Sequence, residues 1–370
     1  MDVESYLVYI CTFLSTLLLS LFFVKQKKRK VKIGKKAFYT NDIYLVLMII
    51  VLSVICGGRG FEVGIDTQSY VQWQFEYIKN FGFNAGTMPF VMRLIVYQVE
   101  HVFADYHVIY LIVSFITNTL IILRFRDFKE KSTFLLLTYA YICYVYCAEF
   151  NTWRQLLAVS VVFYGSRYAF ERKYIKFLVF DVIAILIHSS AIMGLMIIPL
   201  DLFLYNKDDK YRKKITKMFI IMAPVILGLG AMIIYKYFDW QRYVYHFDHY
   251  GTTNSIGFMV PVRLLMLLIL GRFCIDKVKT DNYIFQKKLY IFSTLAILLM
   301  SLDYFIVYAG RLSFYFILFE SVLYGLGSQY WKNIKIVKCL RFTYCILGLY
   351  SFAIQLITNG NKIIPYSFWN

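Results

Sequence analysis

The chain has 370 residues, 60% hydrophobic and 19% aromatic, with a mean hydropathy of +0.59. Apolar stretches long enough to cross a hydrocarbon core at about 1.5 Å per residue recur along it, which excludes a soluble fold and predicts an all-α, polytopic integral membrane protein. The net charge of +18 would suit a nucleic-acid partner, but it is gathered in short loops between apolar segments, where it reports orientation; no nucleic acid is expected.

The first apolar segment, residues 5–24, is too long for a signal peptide, lacks a small-residue cleavage site, and carries its basic flank after it instead of before. It predicts a transmembrane helix with its N-terminus outside. The basic stretches 25–36, 124–131, 167–176, 206–217, 271–288 and 328–341 hold most of the 40 Lys and Arg and are assigned to the cytoplasm. Crossings then follow near 42–57, 107–123, 133–149, 153–170, 216–236, 257–274, 288–305, 309–326 and 338–357. Segment 89–105 is amphipathic, with Arg93, Tyr97, Glu100 and His101 opposed to Phe90, Leu94, Val102 and Phe103, and a full crossing there would break parity. It predicts a re-entrant or interfacial helix. Segment 176–205 lies between two basic loops, so it goes out and returns as a short or broken helix pair with HSS, 188–190, at its tip. The total is about 12 crossings in one domain spanning residues 1–370. The cysteines include no C-x-x-C, and Cys143 and Cys147 on one helix face read as small buried residues.

Nine basic residues fall outside the cytoplasmic stretches: Arg59, Lys79, Arg93, Arg154, Lys236, Arg242, Arg263, Arg311 and Lys362. Six are Arg, whereas the cytoplasmic stretches favour Lys. Cations on the far side oppose the orientation rule, and guanidinium forks bind phosphate oxygens bidentately, so these arginines point to a phosphorylated ligand at the outer face. The competing reading pairs each with an outer acid such as Glu62, Glu100, Glu149 or Asp239. The stretch GGRGFEVGIDTQSY, 57–70, follows a membrane helix and lacks the strand–turn–helix context of a dinucleotide loop; its glycines read as a tight turn that lets backbone approach a ligand closely. Glu62 and Asp66 are too thin a set to hold a metal, and no metal or cofactor is assigned. The outer loop 238–255 gathers Trp240, Tyr243, Tyr245, His246, Asp248, His249 and Tyr250. Beyond an interfacial aromatic belt, this alternation makes a carbohydrate-stacking surface, with Tyr245 as a candidate sugar contact.

GGRGFEVGIDTQSY resembles the R-x-x-x-G-x-D-x-x-x-Y loop of the EpsG-like, Wzy-type bacterial polysaccharide polymerases. WRQLLA, 153–158, resembles their R-Q-x-x-A, HSSA, 188–191, their H-x-S-A, and Arg311 in GRLSFYF and Pro365–Tyr366 follow in the family's order. The resemblance implies a GT-C-like membrane glycosyltransferase in the bacterial cytoplasmic membrane. It would transfer a growing glycan from undecaprenyl diphosphate onto a lipid-linked repeat unit, with its active site facing the extracytoplasmic side. The implied partners are the undecaprenyl-diphosphate-linked oligosaccharide and membrane lipid, together with a chain-length regulator and a flippase.

Under that reading Arg154 and Arg311 are the first candidate diphosphate clamps and Arg59 the next, and Asp66 or His188 accepts the proton of the acceptor hydroxyl. Tyr70, Arg93, Gln155, Ser189 and Tyr366 are candidate substrate contacts. Two rivals stand beside it. One is a lipid-linked glycan flippase or transporter using Asp181, seven residues and about 10.5 Å below His188 on its helix, as a proton relay. The other is a ligase using the same lipid donor.

Overall fold

The computed structural model describes residues 3–26, 30–33, 36–128, 131–205, 257–273, 283–304, 309–330 and 335–369. The predicted crossing at 216–236 and the aromatic loop 238–255, with Tyr245, lie outside the described residues.

Helix α1 (Val3–Lys25) shows how a membrane helix inverts the soluble pattern. Its buried stripe is Ser5, Tyr9, Thr12, Thr16, Ser20 and Phe23, whereas Leu7, Leu14 and Leu18 face outward. Small and hydroxylated residues let neighbouring backbones approach, and apolar branches meet lipid. The following basic stretch forms a short antiparallel hairpin, β1 (Lys30–Ile33) with β2 (Lys36–Tyr39), Lys30 opposite Tyr39. Apart from this hairpin every element among the described residues is helical, in agreement with the all-α expectation. Alternating Lys with Val31 and Ile33 gives a period of two that a helix cannot use. Helices α2 (Asp42–Gly57), α3 (Ile65–Tyr70) and α4 (Glu76–Phe81) follow, the last two joined by a π-helical turn, Val71–Phe75.

Helix α5 (Phe90–Phe103) covers the predicted amphipathic segment with three faces instead of two. Met92, Val96 and Val99 are buried, Arg93 and Tyr97 flank them, and Phe90, Leu94, Val102 and Phe103 are exposed. Then come α6 (His107–Arg126), α7 (Lys131–Tyr144), α8 (Trp153–Phe170) and α9 (Tyr174–Ile187). After His188 the chain turns into a 3-10 segment, Ser189–Met196, that doubles back until Gly194 meets the Asp181 carboxylate, before α10 (Ile197–Tyr205). The helical stretch does break at 188–190, where the tip was predicted. The remaining helices are α11 (Met259–Phe273), α12 (Tyr283–Ser301), α13 (Phe314–Tyr330) and α14 (Lys335–Thr358). Among the described residues, α1, α6, α12 and α14 are long and apolar enough to cross a membrane, and 42–57, 133–144 and 189–204 are shorter apolar helical stretches.

The chain divides into two compact units, Met1–Gly194 with Leu318–Asn370, and Leu195–Ile317. In the first, α6 packs between α2 and α8, α8 against α9, α1 against α2 and α7, and α7 against α14. One end of this unit carries the basic connections. There Arg126 pairs with Asp42 at 2.9 Å, Arg124 and Arg167 both reach Asp127, at 2.8 and 3.3 Å, and Asn41 donates to the Phe23 carbonyl. The opposite end gathers the start of α1, the end of α2, the starts of α6 and α8, and the C-terminal tail. Helices α1 and α2, and α2 and α6, therefore run antiparallel, as alternation across a bilayer requires, whereas α6 and α8 run parallel. In the second unit, Lys288 of α12 and Asp201 of α10 form a buried ion pair, and Arg263 of α11, fully buried, donates to the Met300 sulfur at 3.2 Å.

This arrangement of ends makes a topological prediction. With Cys11 and Cys339 replaced by Ser, a cysteine placed at Glu62 or Asn361 should react with a membrane-impermeant maleimide on intact cells. One at Glu171 should react only after permeabilisation.

Candidate functional site

The site is built where α2 ends. Arg59, two residues past the helix, turns its guanidinium back: Nη1 donates to the Cys56 carbonyl at 2.6 Å and Nε to the Thr67 hydroxyl at 3.2 Å. A helix terminus leaves carbonyls without intrahelical donors, and a guanidinium satisfies one at close range. The same group lies 4.1 Å from the centroid of the Tyr110 ring and 5.6 Å from that of Phe150, and it is only 1% exposed. Its Nη2 finds no acceptor. Arg59 thus ties together the end of α2, the loop and α6.

Beneath it lies a carboxylate. Glu149, 0% exposed, accepts from the Ser114 hydroxyl at 2.7 Å, the Tyr141 hydroxyl at 3.1 Å and the Asn118 amide at 3.3 Å. Arg59 interacts with it electrostatically without forming an ion pair. Reading the sequence offered Glu149 only as one outer acid among several. The signal that marks it out is on α6, where Ser114, Thr117 and Asn118 put hydroxyl and amide groups on one buried face of an apolar helix.

Above these, Arg154 occupies the second position of α8, half-buried, with its guanidinium 4.0 Å from the centroid of the Tyr70 ring and donating to the Tyr70 hydroxyl. Trp153 braces the pair, edge-on to Tyr70 at 5.6 Å and to Tyr110 at 5.1 Å. Asp66, in the first turn of α3, attracts Arg154 electrostatically. Among the described residues, no ion pair joins Arg59, Arg93 or Arg154 to a carboxylate; aromatic rings hold all three, Arg93 over Phe83 at 4.7 Å. The reading in which each outer arginine pairs with an acid fails for these three.

The glycines of the loop meet the chain itself. A Cβ on Gly57 would stand 2.6 Å from the Leu111 Cα, so α2 and α6 touch backbone to backbone there. On Gly60 it would stand 2.2 Å from the Ser367 hydroxyl. The partner of this loop is the C-terminal tail. Gly60 N donates to Ser367 O at 2.7 Å, Trp369 N to Gly58 O at 2.9 Å, and Gly64 N to Lys362 O at 2.8 Å. Asn151 joins all three segments, accepting from Ile65 N and donating to Asn361. The Tyr366 hydroxyl donates to the Ile55 carbonyl at 2.8 Å, and burial pushes its pKa well above the usual tyrosine value, so it stays a donor. Tyr366 fastens the tail to α2. The Trp369 indole stacks on His107, centroids 4.8 Å apart and 1° from parallel.

Arg59, Asp66, Tyr70, Arg154 and Tyr366 therefore come together in the first unit, with Gln155 buried beside Arg154 on α8. His188 stands at the turn after α9, half-buried, its Nδ1 2.7 Å from the hydroxyl of Ser190. Ser189 is exposed, and Ser190 is the residue that meets the imidazole. Arg93 donates to the Gly86 carbonyl at 3.2 Å from α5. Arg311 belongs to the second unit, in the 3-10 turn Ala309–Ser313, where Gly310 N donates to Asp303 at 2.6 Å and Asp303 attracts Arg311.

The model of the EpsG family matches residues 42–368, nearly the whole chain and every residue just described except Trp369. The chain belongs to the EpsG family. No curated protein and no solved structure is found to match it. Membership and the apolar helices agree on a membrane protein of the polysaccharide-polymerase type, a family associated with glycosyltransferase activity.

The contacts of the loop predict a separable defect. Gly60→Ala should displace residues 366–369 and expose the tail to limited proteolysis while the helices persist by circular dichroism. Arg59→Met, which removes two hydrogen bonds from a charged donor, should destabilise the detergent-solubilised protein by about 3 kcal/mol, read as a lower unfolding midpoint.

Proposed function

We propose that this chain is a polysaccharide polymerase that transfers a growing glycan from undecaprenyl diphosphate onto a lipid-linked repeat unit. The active site would lie at the outer face of the bacterial cytoplasmic membrane, in a GT-C-like fold of about 12 crossings. The observation that carries this reading is Arg154. A cation in the first turn of a helix adds to the positive end of the macrodipole, where it costs about 0.3–1 kcal/mol instead of stabilising. No ion pair offsets it among the described residues, and a tyrosine ring holds its guanidinium in place. Such positive potential at the end of a membrane helix suits an anionic ligand, and a diphosphate leaving group is one.

In the reaction, the anomeric carbon of the donor glycan breaks its bond to the diphosphate oxygen and forms one to a hydroxyl oxygen of the acceptor. The electron pair stays with the diphosphate, where Arg154 meets the growing charge, with Arg311 as the second clamp implied by the family motif. The hydroxyl proton passes to Asp66 or His188. Asp66, coupled electrostatically to Arg154, is held in register by the Arg59–Thr67 bond one residue away. Arg59 is cast as a positioning residue, since it is fully buried. A chain-length regulator and a flippase would act with the polymerase.

Purified protein in vesicles with an undecaprenyl-diphosphate-linked repeat unit, and no nucleotide sugar, should yield a ladder of polymer on a gel. Arg154→Ala should abolish it and Arg154→Lys reduce it at least about tenfold, because an ammonium lacks the fork. His188→Gln separates the two candidate bases: an unchanged ladder leaves Asp66, whereas loss at normal protein level assigns His188. One observation favours a flippase instead. Asp181 is 0% exposed and neither of its carboxyl oxygens has a hydrogen-bond partner. Transbilayer movement of the lipid without polymer, lost in Asp181→Asn, would decide for that reading.

A further inference from the structure

Asp66 and Arg154, which attract one another electrostatically, are each the second residue of a helix, α3 and α8. The helix start that carries Asp66 has no cap of its own. Gly64 holds the N-cap position without a side chain to accept from the first amides of α3, which no intrahelical carbonyl can satisfy. The acceptor comes from 86 residues further along the chain, where Asn151 Oδ1 takes the Ile65 amide at 2.6 Å. Gly64 makes that approach possible. Its φ of 92° suits glycine, and a Cβ there would stand 2.6 Å from the Phe150 carbonyl oxygen and 3.2 Å from Asn151 Oδ1.

Asn151 is tied as firmly to the start of α8. Its amide donates to the Ala148 carbonyl at 3.1 Å, Thr152 N donates to the same carbonyl at 2.8 Å, and Thr152 O accepts from Leu156 N at 2.8 Å. Arg154 follows three residues later. The two partners of the side-chain amide fix its orientation. Ile65 N can only donate and the Asn361 carbonyl, 2.9 Å from Nδ2, can only accept, so the oxygen faces α3 and the nitrogen faces the tail. Asp66 is thereby anchored on both sides, through Thr67 by Arg59 and through Ile65 by Asn151. Helix α3 has six residues before the backbone passes into the π-helical turn, so its own bonds do little to fix where it starts.

We propose that Asn151 is a positioning residue for the transfer reaction: by capping α3 from the base of α8, it sets the spacing of Asp66 from Arg154. This rests on the proposed function and adds the element that holds the two groups in register. Asn151 acts through Ile65 and needs no contact with substrate. The C-terminal tail belongs to the same device, since Asn361 holds the amide that presents its oxygen to Ile65.

Two variants test it. Asn151→Ala removes the cap, whereas Asn151→Asp keeps an acceptor for Ile65 and loses the donor to Asn361. A misplacement of about 1 Å can cost about a hundredfold in rate, so Asn151→Ala should lower kcat at least about tenfold on the undecaprenyl-diphosphate-linked repeat unit, with KM within about twofold of wild type. Asn151→Asp should recover most of that loss. In an Asp66→Asn background, Asn151→Ala should cost no more than about twofold further, because both changes remove one arrangement. Equal losses in the two Asn151 variants, a rise in KM in place of the fall in kcat, or losses that multiply in the double variant would overturn the proposal. The tie is also read without turnover. With Cys11 and Cys339 replaced by Ser, nitroxides at Gln68 and Glu171, both exposed, should give a distance distribution that broadens in Asn151→Ala and keeps its wild-type width in Asn151→Asp. An unchanged distribution in Asn151→Ala removes the tie. If wild-type protein forms no polymer, the functional reading fails, and the nitroxide distances alone decide whether Asn151 fixes α3.

Discussion

A guanidinium without an ionic partner, buried at the end of a membrane helix, is the constraint around which one end of the first unit is arranged. Removing such a charge from water costs several kcal/mol even after relaxation. Arg59 recovers part of this through hydrogen bonds to Cys56 and Thr67, each worth about 1.5–3 kcal/mol for a charged donor, and part through the Tyr110 face, worth about 2 kcal/mol when desolvated. Those partners come from α2, the loop and α6, so the charge is tolerated only when all three are in place. Glu149 supplies an opposing charge at one remove, and Ser114, Asn118 and Tyr141 hold it there. The polar layer is demanding in the way buried networks are: it specifies one arrangement because a partial one leaves groups unsatisfied.

Arg154 illustrates the opposite use of the same side chain. It is half-buried and at the helix end where a cation is least welcome. The two arginines share an aromatic frame, Tyr110 and Tyr70 bridged by Trp153, and through it the deep guanidinium sets the position of the shallow one. Rigid rings are suited to this, since they fix a cation without neutralising it.

Much of this was legible in the sequence, and the exceptions have physical causes. Lys and Arg placement laid out the ends of α1, α2, α6, α8 and α14, because charge bias is a local signal that survives without knowledge of packing. The excess of Arg among the cations outside the basic loops pointed to Arg59 and Arg154, the family resemblance added Asp66 and Tyr70, and the fold brings these four together. What the sequence could not convey was depth. Arg59 and Arg154 read alike as residue types, yet one is sealed and the other accessible, a difference made by neighbours on α6 and α8. The glycines were read as making room for a ligand, whereas Gly57 and Gly60 make room for Leu111 and Ser367; close approach was correct and its object was hidden, because a tail pairing lies hundreds of residues away. Glu149 was passed over because the groups that hold it, Ser114, Asn118 and Tyr141, lie on two other helices.

The pairing of the loop with the tail has a consequence for biogenesis. The Tyr366–Ile55 bond spans 311 residues and the Tyr9–Ile363 bond 354. The Gly60 and Gly64 amides therefore emerge from the ribosome well before the tail carbonyls that satisfy them. Insertion of the intervening helices must proceed without that support, and contacts of such long range close slowly. The membrane helices can be fully inserted while this end is still open, so the chain passes through a stage that spans the bilayer but lacks the finished loop–tail layer at one end of the first unit.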